Sequence, residues 1–203
     1  MKTMKKGERT RERIIRQAAP LFNQRGYEGS SMQEIMAATA LEKGGIYRHF
    51  ESKQELAAEA FDYAWAEALR ARRHDLDQIE NSVDKLLQFI ANFVERRGSV
   101  PGGCPLLNTA MDSDDGNTVL RARARKALEG WQEFLGEIIA RGMRRGEINS
   151  KIDKGNLANV IIASLEGAIM ISRLEQNADA LRDAQAHLVN YLETKVRVQN
   201  QQP

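Results

Sequence analysis

The sequence predicts an all-α protein of about nine helices, because apolar residues recur at three- and four-residue spacing along most of the chain. Signals for strands are nearly absent: β-branched alternation is rare, and so are the Asn-Gly and Asp-Gly turns of hairpins. Two Ser-x-x-Glu boxes mark helix starts in the first quarter of the chain. These three observations favour a fold built from helices alone.

The composition is that of a folded protein. Of 203 residues, 42% are hydrophobic and 29% are charged, which argues against disorder. The single cysteine, Cys104, cannot form an internal disulfide, and His49, His74 and His187 show no ligand spacing, so we expect no metal site and no cofactor. The basic N-terminus lacks the apolar stretch of a secretion signal, which predicts a cytoplasmic protein.

The charge is distributed unevenly along the chain. Residues 1–25 hold eight basic and two acidic side chains, a local charge of +6, whereas the whole chain carries +2. A basic segment attached to a slightly acidic body predicts a polyanionic partner at this end. The same charge is also compatible with a solvated tail.

The first predicted helix has an apolar stripe at helical spacing, formed by Ile14, Ala18, Leu21 and Phe22. Gly26 is suited to the position just after its end. Pro20 lies inside the stripe and has no amide hydrogen. We therefore expect Pro20 to kink the helix, at a cost of about 3 kcal/mol if nothing compensates.

Two capping boxes delimit the next part of the chain. Ser31–Glu34 predicts the start of a short helix, and Ser52–Glu55 predicts the start of a long one. Between them, Glu42–Phe50 is a short helical segment with two glycines near its start. The order of short helix, tight turn and short helix is that of a helix-turn-helix, which we place at residues 31–50.

The rest of the chain is a larger helical body. Its apolar periodicity predicts helices at about 52–79, 82–97, 105–112, 117–144, 154–175 and 178–198. The apolar run Leu157–Ile171 raises the question of a membrane span. It contains Glu166 and is shorter than the ~20 apolar residues that a span needs, so we expect a helix buried in a core or an interface.

Residues 10–56 form one pattern that closely resembles the DNA-binding domain of the tetracycline-repressor (TetR) family. The most telling stretch runs from Gly45 to Lys53 and reads Gly-Ile-Tyr-Arg-His-Phe-Glu-Ser-Lys. The resemblance covers about residues 8–68, which we assign to a DNA-binding domain. It implies that residues 69–203 form a helical effector-binding and dimerisation domain.

Physical chemistry supports DNA binding by the short helix, because a helix that begins with two glycines can approach a duplex closely and direct its amides at phosphate. The family resemblance implies phosphate contacts by Tyr47, His49 and Lys53. It also implies contacts in the groove by Lys43, Gly45 and Arg48. The remaining residues that we assign to the DNA-binding surface are Ser31, Met32, Thr39 and Gly44.

Position 42 departs from the family pattern, since many relatives have Ser or Thr at the start of this helix. Glu42 could be repelled by DNA, or it could accept a hydrogen bond from cytosine. The simpler interpretation is that its carboxylate interacts with the helix dipole or with a nearby lysine.

A ligand pocket is expected near the loop Gly98–Pro105 and the helix that follows it. The candidate pocket residues, each of which could instead belong to the core, are Phe89, Phe93, Cys104, Leu107, Met111, Trp131 and Phe134. Cys104 stands at the start of a helix, a position that suits a reactive thiol, although a buried structural cysteine is the more common case.

The last two predicted helices carry apolar stripes. In relatives these helices pair with those of a second copy in a four-helix bundle, so the resemblance implies a homodimer. The alternative is that they only close the core of a monomer. The candidate interface residues are Leu157, Ile161, Leu165, Ala168, Leu188, Tyr191 and Leu192.

The resemblance implies a sequence-specific transcriptional regulator, most simply a repressor that a small-molecule effector releases from double-stranded operator DNA. The alternative is a helix-turn-helix protein without an effector, with an architectural or division-associated role. The sequence has no motif for nucleotide hydrolysis, dinucleotide binding or α/β-hydrolase chemistry. We therefore expect no enzyme activity and no catalytic residue, and we expect no membrane partner.

Overall fold

The computed structural model describes residues 5–96, 98–113 and 116–199. Over these residues the predicted all-α fold is confirmed, with a single isolated β-bridge between Ile148 and Arg197. The helices are α1 (Lys6–Arg25), α2 (Met32–Thr39), α3 (Lys43–Tyr47), α4 (Lys53–Arg72), α5 (Ser82–Glu95), α6 (Pro105–Asp112), α7 (Thr118–Arg144), α8 (Lys154–Glu175) and α9 (Asp179–Tyr191). A 3-10 turn at Leu76–Gln78 and a π-helical turn at Leu192–Val196 complete the described elements.

The chain divides into two compact units that are each discontinuous in sequence. The first contains Met1–Leu69 and Gly98–Ala127, and the second contains Arg70–Arg97 and Leu128–Pro203. Helices α4 and α7 have residues in both units. Compact units and functional domains need not coincide, so the assignment of function to residues 8–68 and 69–203 stays a prediction.

The first unit is built around the helix-turn-helix. Its core consists of buried residues from α1, α2, α3, α4 and the turn after α3, namely Ile14, Ala18, Ile35, Ile46, Phe50 and Leu56. A second cluster joins α1 to α4 through Ala19, Ala60 and Ala64 and includes Val100 of the loop before α6. Because alanine side chains are small, α1 and α4 can pack closely there.

Helix α1 ends where the sequence predicts. Gly26 has a φ of +75°, and its amide donates to the Phe22 carbonyl at 3.0 Å. Positive φ is the conformation that favours glycine just after a helix. Pro20 lies inside α1, and the helix continues through it to Arg25.

Helix α4 ends at Arg72, several residues earlier than the predicted end near residue 79. The Asn92 side chain explains this end, because its Nδ2 donates to the Arg72 carbonyl at 3.1 Å and to the His74 carbonyl at 2.8 Å. The carbonyl of the last helical residue and one carbonyl just beyond it are thus satisfied by a side chain from α5. The chain then turns through Asp75, which has a φ of +58°.

The second unit contains the packed pair α8 and α9. Helix α9 ends at Tyr191 rather than near residue 198, because the chain after the π-helical turn pairs with the segment before α8. The Asn149 amide donates to the Val196 carbonyl at 2.9 Å, and the Val198 amide donates to the Glu147 carbonyl at 3.0 Å. These extended contacts replace the last predicted helical turn.

Candidate nucleic-acid interface

Helix α2 begins with the predicted capping box. The Glu34 amide donates to the Ser31 hydroxyl at 3.2 Å, and the Ser31 amide donates to the Glu34 carboxylate at 2.9 Å. Ala40 ends the helix in the left-handed conformation with a φ of +51°. The chain can therefore reverse at once into α3, which starts at Lys43.

Helix α3 is anchored on one side and open on the other. Ile46 and Phe50 are 1% and 2% exposed and belong to the core of the first unit. The exposed positions are Lys43, Gly44, Tyr47 and Arg48, which we call the α3 surface. The Lys43 ammonium lies 5.9 Å from the centroid of the Tyr47 ring, within cation–π distance. The structure thus brings together four of the residues predicted to bind DNA.

Gly45 and His49 are half-buried beside the α3 surface. A Cβ at Gly44 would meet nothing within 4 Å, and one at Gly45 would make ordinary contact with Leu41. Glycine is therefore not required at these two positions for the fold itself. Glu42 is the exposed N-cap residue of α3, and its side chain makes no capping hydrogen bond. Its charge still lies at the favourable end of the helix dipole.

Lys53 is held at the start of α4. Its Nζ donates to the Tyr27 carbonyl at 2.6 Å and lies 4.2 Å from the centroid of the Tyr27 ring. The Tyr27 amide donates to the Asp112 carboxylate at 2.7 Å. Nearby, the Ser52 hydroxyl accepts the Glu55 amide at 3.1 Å, so the second predicted helix start also has its cap. These contacts fix the position of the Lys53 ammonium, which is only half-buried.

The predicted DNA contact by Thr39 needs correction. Its side chain is 0% exposed, and its hydroxyl donates to the Ile35 carbonyl at 2.7 Å within α2. A hydroxyl enclosed in this way has no surface to offer to phosphate. Met32 is half-buried and packs against the core of the unit, whereas Ser31 is exposed.

Three arginines of the basic N-terminal segment form ion pairs or hydrogen bonds within the first unit. The sequence did not predict these contacts. Arg11 pairs with Glu55 and Glu59 of α4, and Arg25 pairs with Glu34 of α2. Arg13 donates to the Thr39 carbonyl at 3.0 Å. A usable sequence signal was the pair of acids at four-residue spacing in α4, which marks an acidic helix face that needs a cation.

The candidate ligand residues fall into two groups. In the second unit, Phe89, Phe93, Trp131 and Phe134 form one aromatic cluster, with ring centroids 5.8 to 6.1 Å apart. In the first unit, Cys104 is buried at the start of α6, Leu107 is half-buried and Met111 is exposed.

The aromatic cluster encloses a buried charge. Arg72 is 5% exposed, and its guanidinium carbon lies 4.3 Å from the Phe93 centroid and 4.7 Å from the Trp131 centroid. One of its nitrogens is 3.8 Å from the Glu166 carboxylate. Aromatic faces attract cations, and a buried cation needs such a partner or an anion nearby. The aromatic cluster therefore surrounds a buried charged pair, Arg72 and Glu166.

Most of the residues predicted to form the dimer interface are buried within the single chain. Six of them are buried in the second unit: Leu157, Ile161, Leu165, Ala168, Leu188 and Leu192, while Tyr191 is half-buried. A side chain already enclosed by its own chain has little surface left for a second copy. Of the predicted interface residues, only Tyr191 therefore keeps accessible surface in the single chain.

Helix α8 has a second apolar face, which is exposed. It consists of the exposed residues Val160, Ala163, Met170, Ile171 and Leu174 and the half-buried Gly167, which together we call the α8 outer face. Spacings of three and four residues place these positions on one side of the helix. Leu174 is 79% exposed and Met170 is 52% exposed. Within the described residues, α8 alone has the length and hydropathy of a membrane span, with 39% of its apolar window buried.

Comparisons with known proteins agree along most of the chain. A family model described as "Bacterial regulatory proteins, tetR family" matches residues 14–60. Another, described as "Tetracyclin repressor-like, C-terminal domain", matches residues 81–188. The HTH-type transcriptional repressor DhaR of Mycobacterium sp. (strain GP1) is 27% identical over 172 residues, which are 84% of this chain and 86% of that protein.

Solved structures that are similar to this chain include two that match nearly all of it. A TetR transcriptional regulator from Chloroflexus aurantiacus J-10-fl is 46% identical with a TM-score of 0.91, and the match covers 97% of this chain and 100% of that one. A TetR-family transcriptional regulator from Cytophaga hutchinsonii is 34% identical with a TM-score of 0.91, over 98% of this chain and 100% of that one.

Proposed function

The chain belongs to the TetR family and is a helix-turn-helix transcriptional repressor, and from that premise we propose how it binds DNA, dimerises and is released. Lys43 and Arg48 of the α3 surface contact base edges in the major groove, and Tyr47, His49 and Lys53 bind phosphate. The observation that carries the proposal is the division of α3 and the turn after it into a buried side, Ile46 and Phe50, and an exposed polar side. A short helix anchored in this way can enter the groove without exposing its core.

The phosphate contacts follow from chemistry and position. Lys53 is a fixed ammonium at the first position of α4, and phosphate attracts such a point charge. The Tyr47 hydroxyl can donate to a phosphate oxygen, and the residue is 38% exposed. Arg48 and Lys43 have the long donor side chains that read guanine in the major groove.

The dimer that we propose is formed by the α8 outer face. Large apolar side chains exposed along one side of a helix mark a surface that another protein covers. A helix-turn-helix repressor needs two copies to read two half-sites, so the partner is a second copy of this chain. Small residues in the middle of the face, Ala163 and Gly167, allow a second helix to approach closely. Helix α8 is thus an interface helix in this proposal, and the protein acts in the cytoplasm, beside the chromosome.

Release by a small molecule is the third part of the proposal. The effector binds in the second unit at the aromatic cluster around Arg72, where rings and a charged pair provide both apolar contact and polar recognition. The cluster is packed, so a ligand that enters must separate some of these side chains. The indole of Trp131 lies in the cluster and would report that separation by its fluorescence.

The test has two steps. A thermal-shift screen of metabolites identifies ligands, and each ligand is then titrated with and without saturating DNA that the protein binds specifically. A releasing effector must bind DNA-bound protein more weakly, by the same factor by which it weakens DNA binding. Equal affinities for every ligand that binds would contradict release and favour the effector-free alternative.

A matched variant locates the effector. In Trp131→Phe the aromatic ring is kept, so ligand binding should persist while the ligand-dependent fluorescence change disappears. The other tryptophan, Trp65, lies in the first unit and serves as the internal reference. A fluorescence change that survives in Trp131→Phe would place the ligand elsewhere.

A further inference from the structure

The Arg11 side chain lies where α1 meets α4 and the segment after α3. Its Nη2 donates to Glu55 at 3.0 Å, and its two terminal nitrogens donate to both carboxylate oxygens of Glu59. Its Nε donates to the His49 carbonyl at 3.3 Å, and its guanidinium carbon lies 4.6 Å from the centroid of the Phe50 ring. These hydrogen bonds use most of the donors that a guanidinium has.

The Arg13 side chain makes the equivalent contact at the other helix of the motif. Its Nη1 donates to the Thr39 carbonyl at 3.0 Å and to the Gln17 side chain at 3.4 Å. Thr39 is the last residue of α2, so its carbonyl has no partner within the helix. A cation at this end satisfies the carbonyl and is favoured by the helix dipole.

We propose that Arg11 and Arg13 are positioning residues for DNA binding, which hold the C-terminal ends of α3 and α2 against α1, and that Arg11 does not contact phosphate. Arg13 fixes the end of α2, and Arg11 fixes the residue pair His49 and Phe50 that follows α3. The inference rests on the proposed function, because it concerns the orientation of the α3 surface on DNA.

The length of α3 explains why such residues are needed. Helix α3 has only five residues, far fewer than an isolated helix needs for stability. Its orientation therefore depends on contacts at its ends and on its buried side. Ile46 and Phe50 supply the buried contacts, and Arg11 ties the carbonyl of His49 to α1 and α4.

The local charge argues against a phosphate role for Arg11. One guanidinium faces the two carboxylates of Glu55 and Glu59, so the group as a whole is negative and does not attract DNA. The hydrogen bonds that Arg11 donates to Glu59 raise the pKa of Arg11 above its ordinary value, which keeps the guanidinium charged. Arg11 is also only partly exposed, with 33% of its side chain accessible.

The substitution Glu59→Gln should change DNA affinity in opposite directions, depending on whether Arg11 has a positioning role or the local charge alone matters. Removing a carboxylate from a DNA-binding unit makes the unit more positive, so electrostatics alone predicts tighter binding to every duplex. The positioning role predicts weaker binding to the specific site, by about tenfold, because Arg11 loses one of its two charged hydrogen-bond partners. The DNA used is a duplex that the wild-type protein selects from a random pool, and a scrambled duplex measures non-specific binding.

Two variants of Arg11 complete the experiment. Arg11→Gln should weaken specific binding and leave the slope of log affinity against log salt unchanged, whereas loss of one phosphate contact would reduce the slope by about 0.9 per site. Arg11→Lys keeps the charge and cannot bridge both carboxylates and the His49 carbonyl, so we expect it not to restore specific binding. Arg16→Gln, an exposed arginine on the same helix, is the matched control for lost charge.

Thermal unfolding of each variant identifies any that fail to fold. If Arg11→Gln fails to fold, Glu59→Gln carries the test for Arg11. Arg13→Gln removes the contact with the Thr39 carbonyl and should also weaken specific binding. Specific binding by Glu59→Gln at or above the wild-type level would overturn the inference, and so would a reduced salt slope in Arg11→Gln. If the wild-type protein selects no sequence at all, the proposed function fails instead. The two failures are therefore distinguishable.

Discussion

The helix-turn-helix and helix α8 both bury apolar residues on one side, but they differ in the side that they leave exposed. The α3 surface presents an ammonium, a guanidinium, a phenol and a glycine, whereas the α8 outer face presents Val160, Met170, Ile171 and Leu174. The first set of groups indicates a polyanionic partner by its chemistry. The second indicates only that something excludes water there. The exposed polar groups thus indicate the chemical class of the partner, whereas the exposed apolar groups do not.

The largest effect is expected at α8, where two leucines on the same helix should respond differently to substitution by lysine. Leu165→Lys places a charge where the side chain is 0% exposed, and we expect it to lower the free energy of unfolding by about 4 kcal/mol or more. Leu174→Lys alters a side chain that is 79% exposed, and we expect a change within about 0.5 kcal/mol for the single chain.

Urea unfolding and sedimentation velocity measure the two effects. Leu174→Lys should be a folded monomer, because it places like charges on the α8 outer face of both copies. If Leu165→Lys folds normally, or if Leu174→Lys remains a dimer, the assignment of the two faces of α8 is incorrect.

On the polar side of the comparison, Lys53→Ala should weaken DNA binding to all sequences alike, by about tenfold, and should reduce the salt slope by about 1 per site. The reason is the loss of one phosphate contact with its released counterion. Fluorescence anisotropy with a specific and a scrambled duplex measures both. Lys151→Ala, an exposed lysine in the second unit, is the control and should bind like the wild-type protein. Unchanged affinity in Lys53→Ala would remove Lys53 from the interface.

A smaller effect is expected where the helix-turn-helix depends on a cap. Ser31→Ala removes the hydroxyl that accepts the Glu34 amide, and we expect the free energy of unfolding to fall by about 1 kcal/mol. Thr118→Ala, an exposed residue of α7 outside this cap, should change it much less. Equal unfolding midpoints for Ser31→Ala and the wild-type protein would show that the capping box is not important for stability.

The smallest effect on stability is expected at Gly44, where substitution should nevertheless weaken DNA binding. Gly44→Ala adds a methyl group that meets nothing within 4 Å in the protein, so the fold should be unchanged or stabilised by up to about 1 kcal/mol. The methyl would stand between α3 and the duplex, so DNA binding should weaken. Gly130→Ala, another glycine with open space inside a helix, is the matched control and should leave DNA binding unchanged. Wild-type affinity in Gly44→Ala would show that no close approach occurs there.

The same contrast explains which features could be predicted from the sequence. The helix-turn-helix was predictable because its signals are local: Ser31 and Glu34 form their box within one turn, and Ile46 and Phe50 lie four residues apart. Contacts between distant parts of the chain were not predictable in this way. Asn92 ends α4 from 20 residues away, and Arg11 binds Glu55 from 44 residues away.

Apolar periodicity was the weakest guide. Leu165 and Leu174 are the same residue type on the same helix, yet one is buried in its own chain and the other is exposed. A helix with apolar residues on two sides gives no sign in its sequence of which side faces its own core. Thr39 was misassigned for a related reason, because a hydroxyl that donates back within its helix is compatible with full burial.

The most direct test is selection of DNA by the purified full-length protein from a random duplex pool, followed by sequencing of the bound fraction. We expect one enriched sequence with two-fold symmetry, with each half-site read by the α3 surface of one copy. The Lys43→Ala or Arg48→Ala variant should change the preferred bases within each half-site. An enriched sequence without symmetry would contradict the proposed dimer, and a pool that stays random after repeated selection would contradict sequence-specific DNA binding by this surface.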